Sequence, residues 1–432
     1  MNIIKIKNKN FNIFILLLIY KLILDFVYVK FVNKLYHYMG FVLDFNIYKY
    51  IISFLWFVSI FTVLPKDNTK PSSIFLQLHF IIMIMPMFTT YSFANESNIF
   101  LTLSCICFIL ECQILRIIPS IKLRKIKNSY IILYWVIAII SVFVYISMIK
   151  ANGIPTLKAL NLSRVYEVRS IVKYPFLMEY LVSWQAKIIN PFLITISYIN
   201  KNKKLLAISV VLQLLIYLIT ALKAFLFIPL AIIIVIKILE RDYFLSKISL
   251  LAPIGVLLAF MTYKLFGHIM FPSLIIRRLL FVPSQLKFFY FDFFSKNELL
   301  HFSEGVIGKI IGTSSPYAIK TANMIGYMYF GNIENNANTG YLADAYANMG
   351  ILGMFVFSIL FSMILILINS FSKNIKKELV IGLSLFSILA LNDSALLTTL
   401  LTGGLLLLLL LLYLYTNHEN DRIKSLNNNG RK

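Results

Sequence analysis

The chain has 432 residues, of which 59% are hydrophobic and only 14% charged, and its mean hydropathy is +0.82. A soluble domain averages about 45–50% apolar and about 25% charged residues, so the composition excludes an ordinary water-soluble globule and defines an integral membrane protein. The formal charge of +23 does not indicate a nucleic-acid partner, because the basic residues fall in short clusters between long apolar runs, which is how lysine and arginine orient membrane spans.

In chain order, the N-terminal stretch MNIIKIKNKN leads into an apolar run without a small-residue cleavage site, so it reads as a retained first span rather than a signal peptide. A spanning helix needs about 20 mostly apolar residues. That length places spans near 11–29, 48–64, 74–91, 99–115, 130–149, 182–199, 204–220, 222–239, 248–266, 346–369, 378–393 and 395–415. Lys223 marks the turn inside the apolar stretch 204–239, and Asn392, Asp393 and Ser394 mark the turn inside 378–415. Within the spans, Lys21 and Asp25 are four apart and read as an internal ion pair. Glu111 reads as a partner of Arg116 at a span end. Lys187 and Gln185 are candidates for lining a cavity. Cys105, Cys107 and Cys112 share one apolar run with no histidine at zinc-ligand spacing, so they read as inert buried thiols and no metal site is expected.

Basic clusters at Lys5–Lys9, Lys66 and Lys70, Arg116–Lys127, Lys201–Lys204, Lys237–Lys247, Lys373–Lys377 and Arg422–Lys432 all fall on one side when the spans alternate. The positive-inside rule makes that side, and both termini, cytoplasmic. Two long segments lie on the opposite side, 150–181 and 267–345, and long loops without a span of their own are usually functional. Both carry basic residues against the charge trend.

In the first segment, Gly153 and Pro155 make a turn, and a short helix follows on which Arg164 and Glu167 are neighbours, with Arg169 beside them. In the second, "IIRRLLFVPSQLKFFYFDFF" (275–294) reads as interfacial helices broken at Pro283. Arg278, Gln285 and Asp292 are seven apart and fit one helical face. Arg277 and Arg278 suit a phosphate or diphosphate, since a guanidinium donates two parallel hydrogen bonds to one such group; lipid headgroup anchoring is the competing role. In "HFSEG" (301–305), His301 and Glu304 are candidate acid–base groups. In "NNANTGYLADAYANMGILGM" (335–354) a helix runs into the membrane, capped by Thr339 or Asn338. Gly340, Ala343, Ala347 and Gly350 form a small-residue stripe suited to close packing. Asp344 and Asn348 share another face, and a carboxylate at that depth is costly and usually functional.

Four segments, "NGIPTL" with the downstream Arg164, "TALKAFLFIPL", "RRLLFVPSQLKFFYFDFFS" and "NTGYLADAYANMGILGM", resemble the Wzy-type oligosaccharide repeat-unit polymerases of bacterial O-antigen and capsule synthesis. The resemblance implies an all-α, GT-C-like polytopic body with two large outward loops in the bacterial inner membrane. It implies transfer of a growing glycan from undecaprenyl diphosphate to the non-reducing sugar of a new lipid-linked repeat unit on the periplasmic side. No metal or cofactor is implied, and a chain-length regulator and a flippase of the same pathway are the implied partners. Some members carry an Arg followed eleven positions later by Gly in both loops; here those positions hold Pro175 and Phe289, so matched loop arms are not expected. Such chemistry needs cations at the leaving group, worth about 3–4 kcal/mol for each preorganised donor, and a base at the attacking hydroxyl. The cation candidates are Arg277, Arg278, Arg164, Arg169 and Lys223; the base candidates are Glu304, His301 and Asp344; Tyr290 is a candidate for stacking on a sugar. A flippase of the lipid-linked unit and an O-antigen ligase are the alternative functions.

The orientation yields the first prediction. A phosphatase reporter fused after Ser303 is expected to be active only outside the cytoplasm; activity of a cytoplasm-dependent reporter at the same position would overturn the orientation.

Overall fold

In a computed structural model, residues 2–124, 126–155, 157–160, 165–239, 243–373 and 375–416 are described. Among them every regular element is helical. Seven helices are long and apolar enough to cross a membrane: Asn10–Met39, Pro71–Phe93, Asn98–Ile117, Ser129–Asn152, Lys203–Thr220, Phe244–Phe266 and Tyr341–Phe371. Ile47–Val63 and Leu405–Thr416 are shorter apolar helices. Asparagine and serine start several of them: Asn46 accepts from the amides of Tyr48 and Lys49, Ser97 from Phe100 and Asn202 from Leu205, the usual use of a short polar side chain at a helix start.

Hydrogen bonds gather the helix ends into two groups. At one end Gln77 binds the Pro65 carbonyl, Asn369 binds Ser72, Ser370 binds Ile121, and Thr416 donates to the carbonyl of Phe371. This end carries Lys66, Lys70, Arg116, Lys122, Arg124, Lys127, Lys373, Lys376 and Lys377 and is called the basic end here. At the other end Asp44 pairs with Phe93, Lys49 with Asn95 and Glu96, and Gln285 with Met39. The segment 267–340 closes this loop end.

Two hydrophobic cores hold the bundle. The larger runs from the first helix to the last, and the smaller is built by residues 144–236. Lys21 and Asp25 form the expected buried ion pair, with Nζ to carboxylate distances of 2.9 and 2.8 Å. Asp25 also accepts from Thr89 at 2.6 Å and Tyr50 at 3.1 Å, so the buried charge is fully hydrogen-bonded, as burial requires. Glu111 does not pair with Arg116. It turns inward and accepts a 2.5 Å bond from the Tyr341 hydroxyl, while Arg116 is exposed.

Three expectations need correction. First, Tyr341–Phe371 is not one continuous rod. Gly350 has φ 62° and ψ −147°, a conformation that belongs to glycine, and the chain folds back there. The Tyr341 and Phe361 ring centroids are 5.2 Å apart, whereas a continuous helix would separate those positions by about 30 Å. A Cβ on Gly353 would lie 2.2 Å from the Ala345 carbonyl oxygen. Residues 341–349 therefore form a half-helix whose first turn lies deep in the bundle, beside Glu111 and His79, and 351–371 runs back past it.

Second, Val282–Phe294 does not lie flat at a surface. Ten of its residues are buried. Ser273–Phe281 before it is wound as a π-helix, and the extra residue per turn shifts the phase, so Arg278 is exposed while Gln285 is buried. Third, the turn at Asn392 packs inward on one side: Asn392 is 4% exposed and its carbonyl stands 2.6 Å from where a Gly340 Cβ would be, while Asp393 beside it is exposed.

The fold-back yields a paired prediction. Gly353→Ala is expected to lower stability by about 1–3 kcal/mol through overpacking. Gly255→Ala, in the open middle of a helix with nothing within 4 Å, is expected to be neutral or stabilising by about 0.5–1 kcal/mol. Thermal unfolding of the two variants in detergent checks the order, and equal melting temperatures would contradict the fold-back.

Candidate functional site

The half-helix 341–349, the loop 300–305, the Thr321–Phe330 helix and residues 394–398 enclose a cavity of ≈ 270 Å³ near the loop end. Its polar wall is Glu304, Thr321, Asn338, Thr339, Asp344, Asn348, Ser394 and Thr398, with Tyr290 beside them. Each wall has a local cause. Asn348 closes the half-helix and clamps the loop: its side-chain oxygen accepts from the Phe302 amide at 2.9 Å, its side-chain nitrogen donates to the Asp344 carbonyl at 2.9 Å, and its carbonyl accepts from His301. Leu300 donates to the Ala347 carbonyl. The loop thus satisfies the carbonyls that the end of a helix leaves open. His301 and Phe302 take positive φ values of 49° and 60° to make this fit.

Glu304 is held by Thr321, whose amide and hydroxyl both donate to Oε1 at 2.8 Å. Asp344, one helical turn from Gly340, faces the same cavity. Tyr290 is 4% exposed and its hydroxyl donates to the Ala337 carbonyl at 3.0 Å, fixing the strand of chain that leads to the half-helix. Below the floor, fully buried Lys287 donates to Asn392 Oδ1 at 2.6 Å. Burial pushes this ammonium down to about 7, against the opposing pull of Asp393.

The structure brings together Glu304, Asp344 and Tyr290 among the residues singled out from the sequence. His301 holds the loop through its backbone, and its ring is at the surface. Arg277 lies elsewhere: its guanidinium stacks 4.6 Å from the Tyr36 ring centroid and binds Ser273 Oγ at 2.9 Å. Arg278 and Arg169 are exposed, Lys223 opens the Lys223–Leu239 helix, and none of the four lines the cavity. Arg164 lies outside the described residues. Gln185 binds Asn190 at 2.8 Å inside the smaller core and, like Lys187, does not line the cavity. The half-helix starts at Gly340 with no side-chain cap, so neither Thr339 nor Asn338 caps it. Sequence reading missed Thr321, Thr339, Ser394 and Thr398 as lining residues; the polar break at 392–394 inside an apolar stretch was the available signal.

A second cluster lies beside the site. Phe289 stacks on Tyr329 at 4.3 Å, and Tyr329 donates to Asp292 at 2.6 Å, which also pairs with Lys296. Glu96 is nearby: burial pushes its carboxyl up to about 8, and the charge of Asp292 adds to the rise while Lys49 opposes it.

Among the described residues no group of three or more metal-ligating side chains is present. No family model, curated protein or solved structure matches the chain.

Glu96 gives a pH prediction. Its folded value lies above that of an exposed glutamate, so ionisation in the unfolded chain comes first. The fold loses stability as pH rises from about 4 towards about 8, and the loss is constant above. Glu96→Gln removes this loss. Its melting temperature is expected to exceed that of the unaltered protein most at pH 8 and to match it near pH 4; a gain that does not change with pH would contradict the assignment.

Proposed function

We propose that the chain is a membrane glycosyltransferase of the repeat-unit polymerase type. It crosses the bacterial inner membrane about twelve times in a GT-C-like body, with both termini cytoplasmic and the loop end periplasmic. The observation that carries the reading is the placement of two carboxylates, Glu304 and Asp344, in one small cavity at the loop end of an apolar bundle. Ligand cavities run from about 300 Å³ upwards, so this one suits the reacting ends of two glycans rather than whole repeat units.

The sugar hydroxyl of the incoming lipid-linked unit gives its proton to one carboxylate. The freed oxygen attacks the anomeric carbon of the growing glycan. The bond from that carbon to undecaprenyl diphosphate breaks, and its electron pair leaves on the diphosphate. A positioned base contributes about 10²–10⁴-fold. With Oε1 of Glu304 taken up by Thr321, Oε2 is the oxygen available to an acceptor. Asn348, Thr398 and Ser394 supply the hydrogen-bonding groups that orient sugar hydroxyls.

One observation favours a flippase instead. His79 Nδ1 and Glu111 Oε2 are buried without a partner below the half-helix, and polar groups inside a bundle often mark a transport path. Gene deletion followed by electrophoresis of the surface glycan separates the readings. Single repeat units without a ladder support the polymerase, accumulation of untransported intermediate supports the flippase, and loss of all attached polymer supports a ligase.

In a deletion strain, Glu304→Gln and Asp344→Asn are each expected to reduce polymerisation by about 10²–10⁴-fold while the protein reaches the membrane at normal levels. A full-length ladder from both variants would defeat the proposal. Chelation of divalent ions in purified membranes is expected to leave polymerisation intact; loss restored by a divalent ion would refute the metal-free step.

A further inference from the structure

The most unusual feature of the cavity is its floor, where Asn338 and Thr339 lead into the start of a helix. The half-helix 341–349 begins deep in the bundle, with Tyr341, Leu342 and Ala343 fully buried. Its cap residue Gly340 supplies no side chain, so the first-turn amides have neither an intrahelical acceptor nor a side-chain cap. The start of a helix also carries the positive end of its dipole. Thr339, the residue just before, is 4% exposed, faces the cavity and has no partner for its hydroxyl. An unbonded hydroxyl and a bare helix start, both buried, cost free energy unless a ligand meets them.

A buried amine, that of Lys287, lies directly behind. A Cβ on Gly340 would stand 2.6 and 2.8 Å from the carbonyl oxygens of Asn392 and Leu391 and 2.9 Å from Lys287 Cε, so glycine is what lets the helix start sit against this turn, with the buried lysine beside it. The negative groups are also placed: Glu304 and Asp344 are on the cavity wall, and Asp393 lies beyond Asn392, where it offsets part of the Lys287 and Lys187 charge.

We propose that the start of the half-helix, together with the Thr339 hydroxyl and backed by Lys287, is an anion site that takes a phosphoryl group. Helix starts bind phosphates by this geometry. The identity of the anion, the diphosphate leaving group, rests on the polymerase reading; the anion site itself does not. As the anomeric carbon–oxygen bond breaks, its electrons pass to a diphosphate oxygen that receives hydrogen bonds from the amides and Thr339, while the proton leaves the acceptor for a carboxylate at the wall. This assigns the leaving group to the cavity floor rather than to Arg277, which is engaged with Tyr36 and Ser273, or to exposed Arg278.

The test uses the purified full chain in detergent, with inorganic pyrophosphate as the probe and titration calorimetry as the readout. Saturable binding is expected. Thr339→Val should weaken it about tenfold, the loss of one hydrogen bond to a charged group, and Thr339→Ser should restore it. Asp344→Asn should tighten binding by about threefold or more by removing a like charge from the same cavity. Absence of saturable binding overturns the proposal. So does equal affinity in Thr339→Val, equal weakening by Val and Ser, or loss of binding only in Arg277→Ala or Arg278→Ala. The glycan ladder plays no part in this readout: a normal pyrophosphate pattern in a protein whose deletion leaves the ladder intact would reject the polymerase and keep the anion site.

Discussion

A chain that reverses inside an apolar bundle leaves backbone amides and carbonyls where lipid offers no water to bond them. The reversal at Gly350 creates this situation, and the surrounding structure resolves most of it. Leu300, His301 and Phe302 bring three amides to the far end of the half-helix, two onto its last carbonyls and one onto the Asn348 side chain. The near end is left with uncapped amides, an unbonded threonine and a lysine at its back. Broken helices of this kind are tolerated at membrane depth where they line a cavity.

The other buried polar groups follow the same logic. Asp25 is bonded by Lys21, Thr89 and Tyr50, a satisfied network that ties the first three helices together. Asn190 links Gln185, Gln213 and Tyr145 in the smaller core. Such networks contribute specificity of packing as much as stability, because an apolar contact in a lipid-soluble bundle does not by itself select one neighbour over another. Glu111 and His79 are among the buried groups that stay half-satisfied, both below Tyr341.

The positions of the seven long apolar helices were legible in the sequence because hydropathy over about 20 residues reports burial in lipid directly. The Lys21–Asp25 pair and the neighbourhood of Asp344 and Asn348 were legible because helical spacing places such residues on one face. The fold-back was not. "YLADAYANMGILGM" is compatible with a helix throughout, and nothing local distinguishes a packing glycine from one with positive φ. The burial of Val282–Phe294 was hidden for a similar reason: its aromatics leave no polar face to read, and the π-wound Ser273–Phe281 segment shifts the phase on which a common face for Arg278, Gln285 and Asp292 depended. Glu111 was assigned to Arg116 by proximity in sequence, but tertiary contact with Tyr341 decides its direction.

Everything at the cavity depends on residues 341–349 lying beside 351–371 rather than in line with them. Cysteines placed at Tyr341 and Phe361, in a background with Cys105, Cys107 and Cys112 replaced, address this directly through a short bifunctional maleimide applied to the full chain. The fold-back predicts an internal cross-link in high yield, since the two native rings are 5.2 Å apart. A continuous helix would hold the two sites about 30 Å apart, and no cross-link between reactive cysteines there would contradict the account.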